Sequence, residues 1–308
     1  MQEYRDELFS ILKDAAIALL VLGIILSSLY VYTGRWPPMV VIESPSMSHG
    51  EGDVPNSQLR VIDTGDIVAV KTVNDRDDLV TYIEGKATGH RTYGQYGDVV
   101  IFRPDGDEDK TPVIHRPVLF LEYNETSEGF DIPTLANLDY GEDWESSQEG
   151  EEVYGISDNL YIYDYGHREV VIDIDLNGLL QYQHDGFITM GDNNIRSGIG
   201  IYDQGNLRNI NEPIELEWVE GKARGELPWF GSLKLIYMGR TDSIPSNTWR
   251  NLIISVAVLI SLPITFEYVL DHYKKVNKED KENSEPERKS EPERKSEPER
   301  NNITGSKK

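Results

Sequence analysis

A chain of 308 residues with no cysteine and a net charge of -24 cannot carry a disulfide framework, a cysteine-based metal site or a thiol nucleophile. The excess charge is concentrated: residues 33–248 hold 16 Lys and Arg against 39 Asp and Glu, a surface that repels nucleic-acid phosphates and anionic headgroups. Such a surface suits solubility in concentrated salt, as in a halophilic source, because screening shortens to about 3 Å at 1 M.

The polar N-terminus, residues 1–14, carries Arg5 and Lys13 and leads into AAIALLVLGIILSSLYVY, residues 15–32, which is uncharged and long enough for a membrane helix. The following Gly34-Arg35-Trp36-Pro37-Pro38 offers no small-x-small cleavage site, and Tyr32 and Trp36 suit a membrane interface. Residues 33–248 then read as a mostly β, antiparallel domain. Alternating or short apolar runs predict strands at Val40–Ile42, Ile67–Lys71, Val99–Phe102, Val113–Leu121, Val170–Ile174 and Leu233–Tyr237. Turns are expected at Thr64-Gly65-Asp66, Tyr96-Gly97-Asp98, Asp105-Gly106 and Met190-Gly191-Asp192. Acidic insertions are expected near 73–96 and 122–185, with residues 73–96 and 122–160 the least regular.

Residues 252–270, LIISVAVLISLPITFEYVL, form a second apolar stretch, interrupted by Pro263 and Glu267. Residues 271–308 are expected to be a disordered cytoplasmic tail, because the SEPERK repeats are too charged and proline-rich to bury a core. Lys274, Lys275, Lys278 and Lys281 follow the second span as Arg5 and Lys13 precede the first, which predicts a multi-pass cell-membrane protein with both termini cytoplasmic and the domain outside. Asn124-Glu125-Thr126 is an N-glycosylation sequon on that side.

The candidate nucleophile is Ser46, fourteen residues beyond Tyr32 in Glu43-Ser44-Pro45-Ser46-Met47, where Pro45 stiffens the backbone and Met47 can pin the segment to the domain. A hydroxyl nucleophile needs a base and a group that orients the base. His49 lies only three residues from Ser46, where a tight turn would misaim its ring, and His115 occupies the polar position of an apolar run, Pro112-Val113-Ile114-His115-Arg116. Asp192 in the Gly191-Asp192-Asn193-Asn194 turn and Asp203 are the candidate orienting carboxylates.

In order, Ser44-Pro45-Ser46-Met47, Gly65-Asp66-Ile67-Val68-Ala69-Val70, Gly97-Asp98-Val99-Val100-Ile101-Phe102, Ile114-His115-Arg116 and Gly191-Asp192-Asn193-Asn194 resemble the motifs of type I signal peptidases. His-Arg in place of the bacterial lysine makes the resemblance one to the archaeal and endoplasmic-reticulum type, over residues 15–240. Gly221-Lys222-Ala223-Arg224-Gly225 resembles the segment that closes the family's catalytic domain. The resemblance implies a membrane-bound serine endopeptidase that removes signal peptides from exported preproteins. Ser46 would be the nucleophile, His115 the general base and Ser44 an oxyanion donor. Asp203 would orient His115 with Asp192 in support, the two aspartates being exchangeable at this stage. No cofactor or metal is implied. The implied partners are signal peptides and the lipid bilayer, with the protein export channel as a further candidate. Two departures stand out: six residues, Ile195–Gly200, separate the Asn193-Asn194 turn from the Ile201-Tyr202-Asp203 segment, and 76 residues lie between His115 and Asp192. A Ser46–Lys71 dyad and a non-catalytic membrane-anchored subunit of a secretion complex are the competing readings.

Overall fold

The structure, a computed structural model, describes residues 2–50, 57–148, 150–205 and 210–284. In chain order, α1 (Gln2–Thr33) leads into β1 (Met39–Val41) and β2 (Ile67–Lys71). Next come α2 (Tyr82–Thr88), the hairpin of β3 (Arg91–Thr92) and β4 (Gln95–Tyr96), β5 (Val100–Phe102) and the long β6 (Val113–Asn124). β7 (Gly129–Asp131), β8 (Trp144–Ser146), β9 (Asn159–Tyr165), β10 (Val170–Asp175) and α3 (Leu176–Leu179) follow. The chain continues through β11 (Gly186–Met190), the hairpin of β12 (Ile195–Arg196) and β13 (Ile199–Gly200), β14 (Val219–Leu227), α4 (Ser232–Tyr237) and α5 (Ser246–Ser284).

The first sheet runs β1-β2-β14-β5-β6-β11, antiparallel throughout, with β7 added at the far end of β6. Its central crossing needs Gly221, where a Cβ would lie 2.4 Å from the Lys71 carbonyl. Asp98, fully buried, binds Lys222 and Arg224 of β14 at 3.1 and 3.0 Å and His90 at 2.9 Å, so the Gly-Asp and Gly-Lys-Ala-Arg-Gly motifs meet in one charge cluster. The fold class expected from the sequence is therefore present, with a helix long and apolar enough to cross a membrane at each end: Tyr4–Thr33 and Ser246–Asn277. None of the apolar window of α1 is buried within the chain, unlike the core helix of a soluble domain. Its last residue, Thr33, is buried, and its carbonyl accepts from Thr72 N at 2.8 Å, which roots α1 at the end of β2.

Several expectations are corrected. Leu233–Tyr237 is not a strand but lies in α4; Ser232 and Leu235 are buried while Leu233 and Tyr237 are exposed, a spacing of three that a helix satisfies. Residues 73–96 include α2, closed by a Thr81/Glu84 capping box that was visible in the sequence. Residues 122–160 are not loose loops but supply β8 and the start of β9, which join β10, the strand expected at Val170–Ile174, in a second sheet ordered β12-β13-β10-β9-β8. Helix α5 continues past Leu270 to Ser284, so the expected tail is helical over 271–284. The SEPERK repeats beyond Ser284 lie outside the described residues. The Asn124 sequon is folded into a turn: its Nδ2 donates to Asp131 at 2.9 Å and its Oδ1 accepts from Thr126 N at 2.9 Å.

Residues up to Ile253 form one compact unit and those from Ile254 a second. Within the first, the two sheets share a core in which Val118, Leu119, Ile188 and Met190 pack with Ile162, Ile172 and Trp144. Ile172→Ala, which removes buried methyl groups from that seam, is expected to cost about 2–5 kcal/mol and to lower one common unfolding transition in calorimetry. Two separated transitions would contradict the shared core.

Candidate active site

Ser46 sits in a tight turn in which Ser48 N donates to Pro45 O at 3.1 Å. Met47 anchors the turn, buried with Ile42, Ile62, Val68 and Ile101. Asn193 grips the loop from the opposite side: its N donates to Ser46 O at 2.9 Å and its Nδ2 to Pro45 O at 3.1 Å. Ser46 itself is 5% exposed, and its Oγ lies 3.3 Å from Ser44 Oγ.

His115 and Arg116 are neighbours on β6, where the pleat sends their side chains to opposite faces. His115 is wholly buried, and its Nδ1 lies 2.6 Å from Asp203 Oδ2, which also accepts from Thr189 Oγ1 at 2.7 Å. An ionised Asp203 can only accept, so Nδ1 carries the proton and the lone pair is left on Nε2. That Nε2 has no hydrogen-bond partner among the described residues. It faces Gly191, where a Cβ would stand 2.8 Å from it and 2.6 Å from Ser46 O. Only glycine lets the Ser46 loop and the histidine approach the same backbone atom this closely.

Asp192 does not orient His115. Its carboxylate receives Arg116 in a two-point contact, Nε to Oδ1 at 2.8 Å and Nη2 to Oδ2 at 2.7 Å, and lies 2.8 Å from His49 Nε2. Burial pushes the Asp192 carboxyl up, but the Arg116 charge and hydrogen bonds, with help from His49, more than offset this and hold it well below the usual carboxylate range. The His49 Nε2 is thus turned to Asp192 rather than to Ser46, and its ring stacks on His167 with centroids 4.4 Å apart. Burial, with His49 alongside, pushes the His167 imidazole down to about 4. Asp66 of the Gly65-Asp66 motif is structural: it accepts from Asp63 N and Trp229 N, both at 2.8 Å, and burial pushes it up to about 7.

The structure therefore brings Ser44, Ser46, His115, Asp192 and Asp203 together. Lys71 is not among them: it stands exposed at the far end of β2 with its Nζ 6.0 Å from the Tyr32 ring, whereas the Ser46 loop leaves from the Ile67 end. Sequence reasoning weighed His49 only as a base for Ser46, and it missed Thr189 and Gln204, whose Oε1 accepts from Thr189 N at 3.2 Å. A groove of about 870 Å³ runs to the Ser44–Ser46 loop, floored by Val40, Ile42, Ile101 and Ile114. Both its walls are strand edges among the described residues: β1 pairs there only with β2, and residues 113–115 of β6 pair only with β5 because β11 begins its pairing at Arg116. The described residues contain no cluster of His, Asp and Glu suited to a metal ion. No protein-family model matches the chain, and no curated protein matches it.

Because the folded state lowers the Asp192 pKa, this carboxylate stabilises the protein above the unfolded value, about 4, and the contribution is lost as pH falls through the depressed folded value. Asp192→Asn leaves a buried guanidinium without its anion and is expected to cost about 3–5 kcal/mol at pH 7. In urea titrations the gap between wild type and variant should narrow as pH falls below about 4; an unchanged gap would contradict the ion pair.

Proposed function

We propose that this chain is a membrane-anchored serine endopeptidase of the signal-peptidase kind, cutting signal segments from exported preproteins with Ser46 as nucleophile. One observation carries the reading: His115 has its Nδ1 on Asp203 and an unpartnered Nε2 facing the glycine that holds the Ser46 loop, at the end of an open groove. This supplies base, orienting carboxylate and nucleophile in the roles a serine hydrolase requires. The ordered sequence motifs support the signal-peptidase class.

The substrate extends between the free edges of β1 and β6, adding main-chain hydrogen bonds to the sheet, with small side chains entering shallow pockets of the groove. His115 Nε2 takes the Ser46 proton as Oγ attacks the scissile carbonyl, and Asp203 stabilises the imidazolium. The oxyanion accepts from the Ser44 hydroxyl and from backbone N–H groups of the turn. His115 then protonates the leaving amine, and water hydrolyses the acyl-enzyme by the same route. Roots in the domain keep this chemistry near the bilayer: α1 ends buried against β2, and Thr248 and Leu252 in the first turns of α5 are also buried. On this reading the domain faces outward and both termini are cytoplasmic, as the flanking Lys and Arg predict.

In membranes carrying an exported precursor, Ser46→Ala and His115→Ala should abolish cleavage, and Asp203→Asn should lower kcat by about 10³–10⁴-fold. Lys71→Ala should stay within about twofold of wild type, since the Ser–Lys dyad is the reading it tests. Undiminished cleavage by Ser46→Ala would overturn the proposal and favour the non-catalytic subunit.

A further inference from the structure

The second sheet touches the site at two places, and both contacts reach residues that must be held still. At the first, Arg168 in the turn between β9 and β10 donates from Nη2 to Gly50 O at 2.6 Å and to Asn193 Oδ1 at 3.4 Å. Beside it, His167 stacks on His49, which in turn contacts Asp192. That turn therefore bears on the loop carrying Ser46 and on the Gly-Asp-Asn-Asn turn that grips it.

At the second, β13 pairs in parallel with β10, Val171 opposite Ile199 and Ile172 opposite Gly200. A Cβ at Gly200 would lie 2.9 Å from Ile172 Cγ1 and 3.1 Å from Met190, so the two strands and β11 close to van der Waals limits there. Two residues on, Tyr202 buries its ring in the shared core and accepts from Asp175 N at 3.2 Å through its hydroxyl. The next residue is Asp203, whose N donates to Thr189 O at 2.8 Å. The segment before Asp203 is thus held by the second sheet through β13 and Tyr202, and by Ile201 N, which donates to Asn194 O at 2.8 Å, before Asp203 is handed to β11.

We propose that the second sheet is a brace for the catalytic triad, with Arg168 positioning the Ser46 loop and Tyr202 positioning Asp203. The inference rests on the serine-peptidase reading for its activity assay, but it also makes a claim about the His115–Asp203 hydrogen bond that is independent of turnover. Neither residue touches the reacting atoms or lines the groove. Their loss should leave substrate binding alone and lower the chemical step, because small misplacements of reacting groups cost large factors in rate.

The test uses the full chain in detergent micelles or nanodiscs, with Tyr202→Phe, Gly200→Ala, Arg168→Ala and Arg168→Lys. Tyr202→Phe keeps the ring and removes only the hydroxyl, so it is the variant least able to disturb folding, and melting temperatures within a few degrees of wild type will confirm this. The expected result is a fall in kcat of about 10-fold for Tyr202→Phe and Arg168→Ala, with KM unchanged, and partial rescue by Arg168→Lys. Gly200→Ala should fall further, about 100-fold, because its new methyl group must push β13 off β10. The low-field proton signal of His115 Nδ1–H should move or broaden in Tyr202→Phe and Gly200→Ala but not in Arg168→Ala. Wild-type kcat in Tyr202→Phe with an unmoved proton signal would overturn the brace, as would a rise in KM at constant kcat. If the wild type cleaves no precursor, the serine-peptidase reading fails by itself, and the proton signal still decides whether the second sheet positions Asp203.

Discussion

Arg116 is where three separate stretches of chain converge, and the constraint it imposes is electrostatic. A fully buried guanidinium stays charged, so it must be met by an anion and by enough acceptors to occupy its donors. Asp192 provides the anion, and the carbonyls of Tyr96 and Gly97 accept from Nη1, each at 3.0 Å. Each partner belongs to a different segment: the turn after β11, and the turn between β4 and β5. Because His115 is the preceding residue on β6, fixing Arg116 on one face of the strand fixes the imidazole on the other. Asp192 then passes the constraint to His49 and so to the loop of Ser46. The ion pair is thus the part of the site that cannot move without breaking, while Asp203, Ser44 and Ser46 are arranged around it.

The two long spacings in the motif order belong to one structural feature. The residues between His115 and Asp192 include β8, β9 and β10; those between the Asp192 turn and Asp203 form the β12–β13 hairpin that completes the same sheet. A longer path to Asp203 would by itself cost order, since a loop gains conformational freedom as it lengthens. Pairing with β10 removes that freedom. Neither stretch alone explains the other, whereas together they form a covered sheet with a shared core and no loose connection to the aspartate.

What could be read from the sequence was the local chemistry. The ordered motifs and the strands Ile67–Lys71 and Val113–Leu121 followed from short patterns whose physical requirements are local, whereas Asp203 was preferred over Asp192 as the partner of His115 only through the resemblance, because that contact is made across 88 residues of chain. What could not be read was set by distance. That His49 meets Asp192 depends on a residue 143 positions away in sequence. The acidic stretch 122–160 looked irregular because its strands are short and the alternation that Leu160 and Ile162 make inside begins only at its end. Leu233–Tyr237 was misread because five residues are too few to separate a period of two from one of 3.6.

The charge distribution carries a last consequence. Basic residues are scarce in residues 33–248, and several are used in pairs at joints between elements. Glu220 of β14 holds both Arg35, just beyond α1, and Arg103, just beyond β5; Asp98 holds Lys222 and Arg224; Glu43, beside the groove, holds Lys234 and Arg240. The Asp98 and Glu220 joints are largely removed from water, so dissolved salt screens them weakly, whereas the Glu43 joint and the uncompensated carboxylates lie mainly at the surface, where a Debye length of about 3 Å at 1 M suppresses their interactions. Salt therefore relieves the term that opposes folding while leaving in place the pairs that support it, and a fold with so large an acidic excess gains stability as ionic strength rises. The same asymmetry protects the site, because the Arg116–Asp192 pair, with both side chains buried, is more deeply buried than any of these joints.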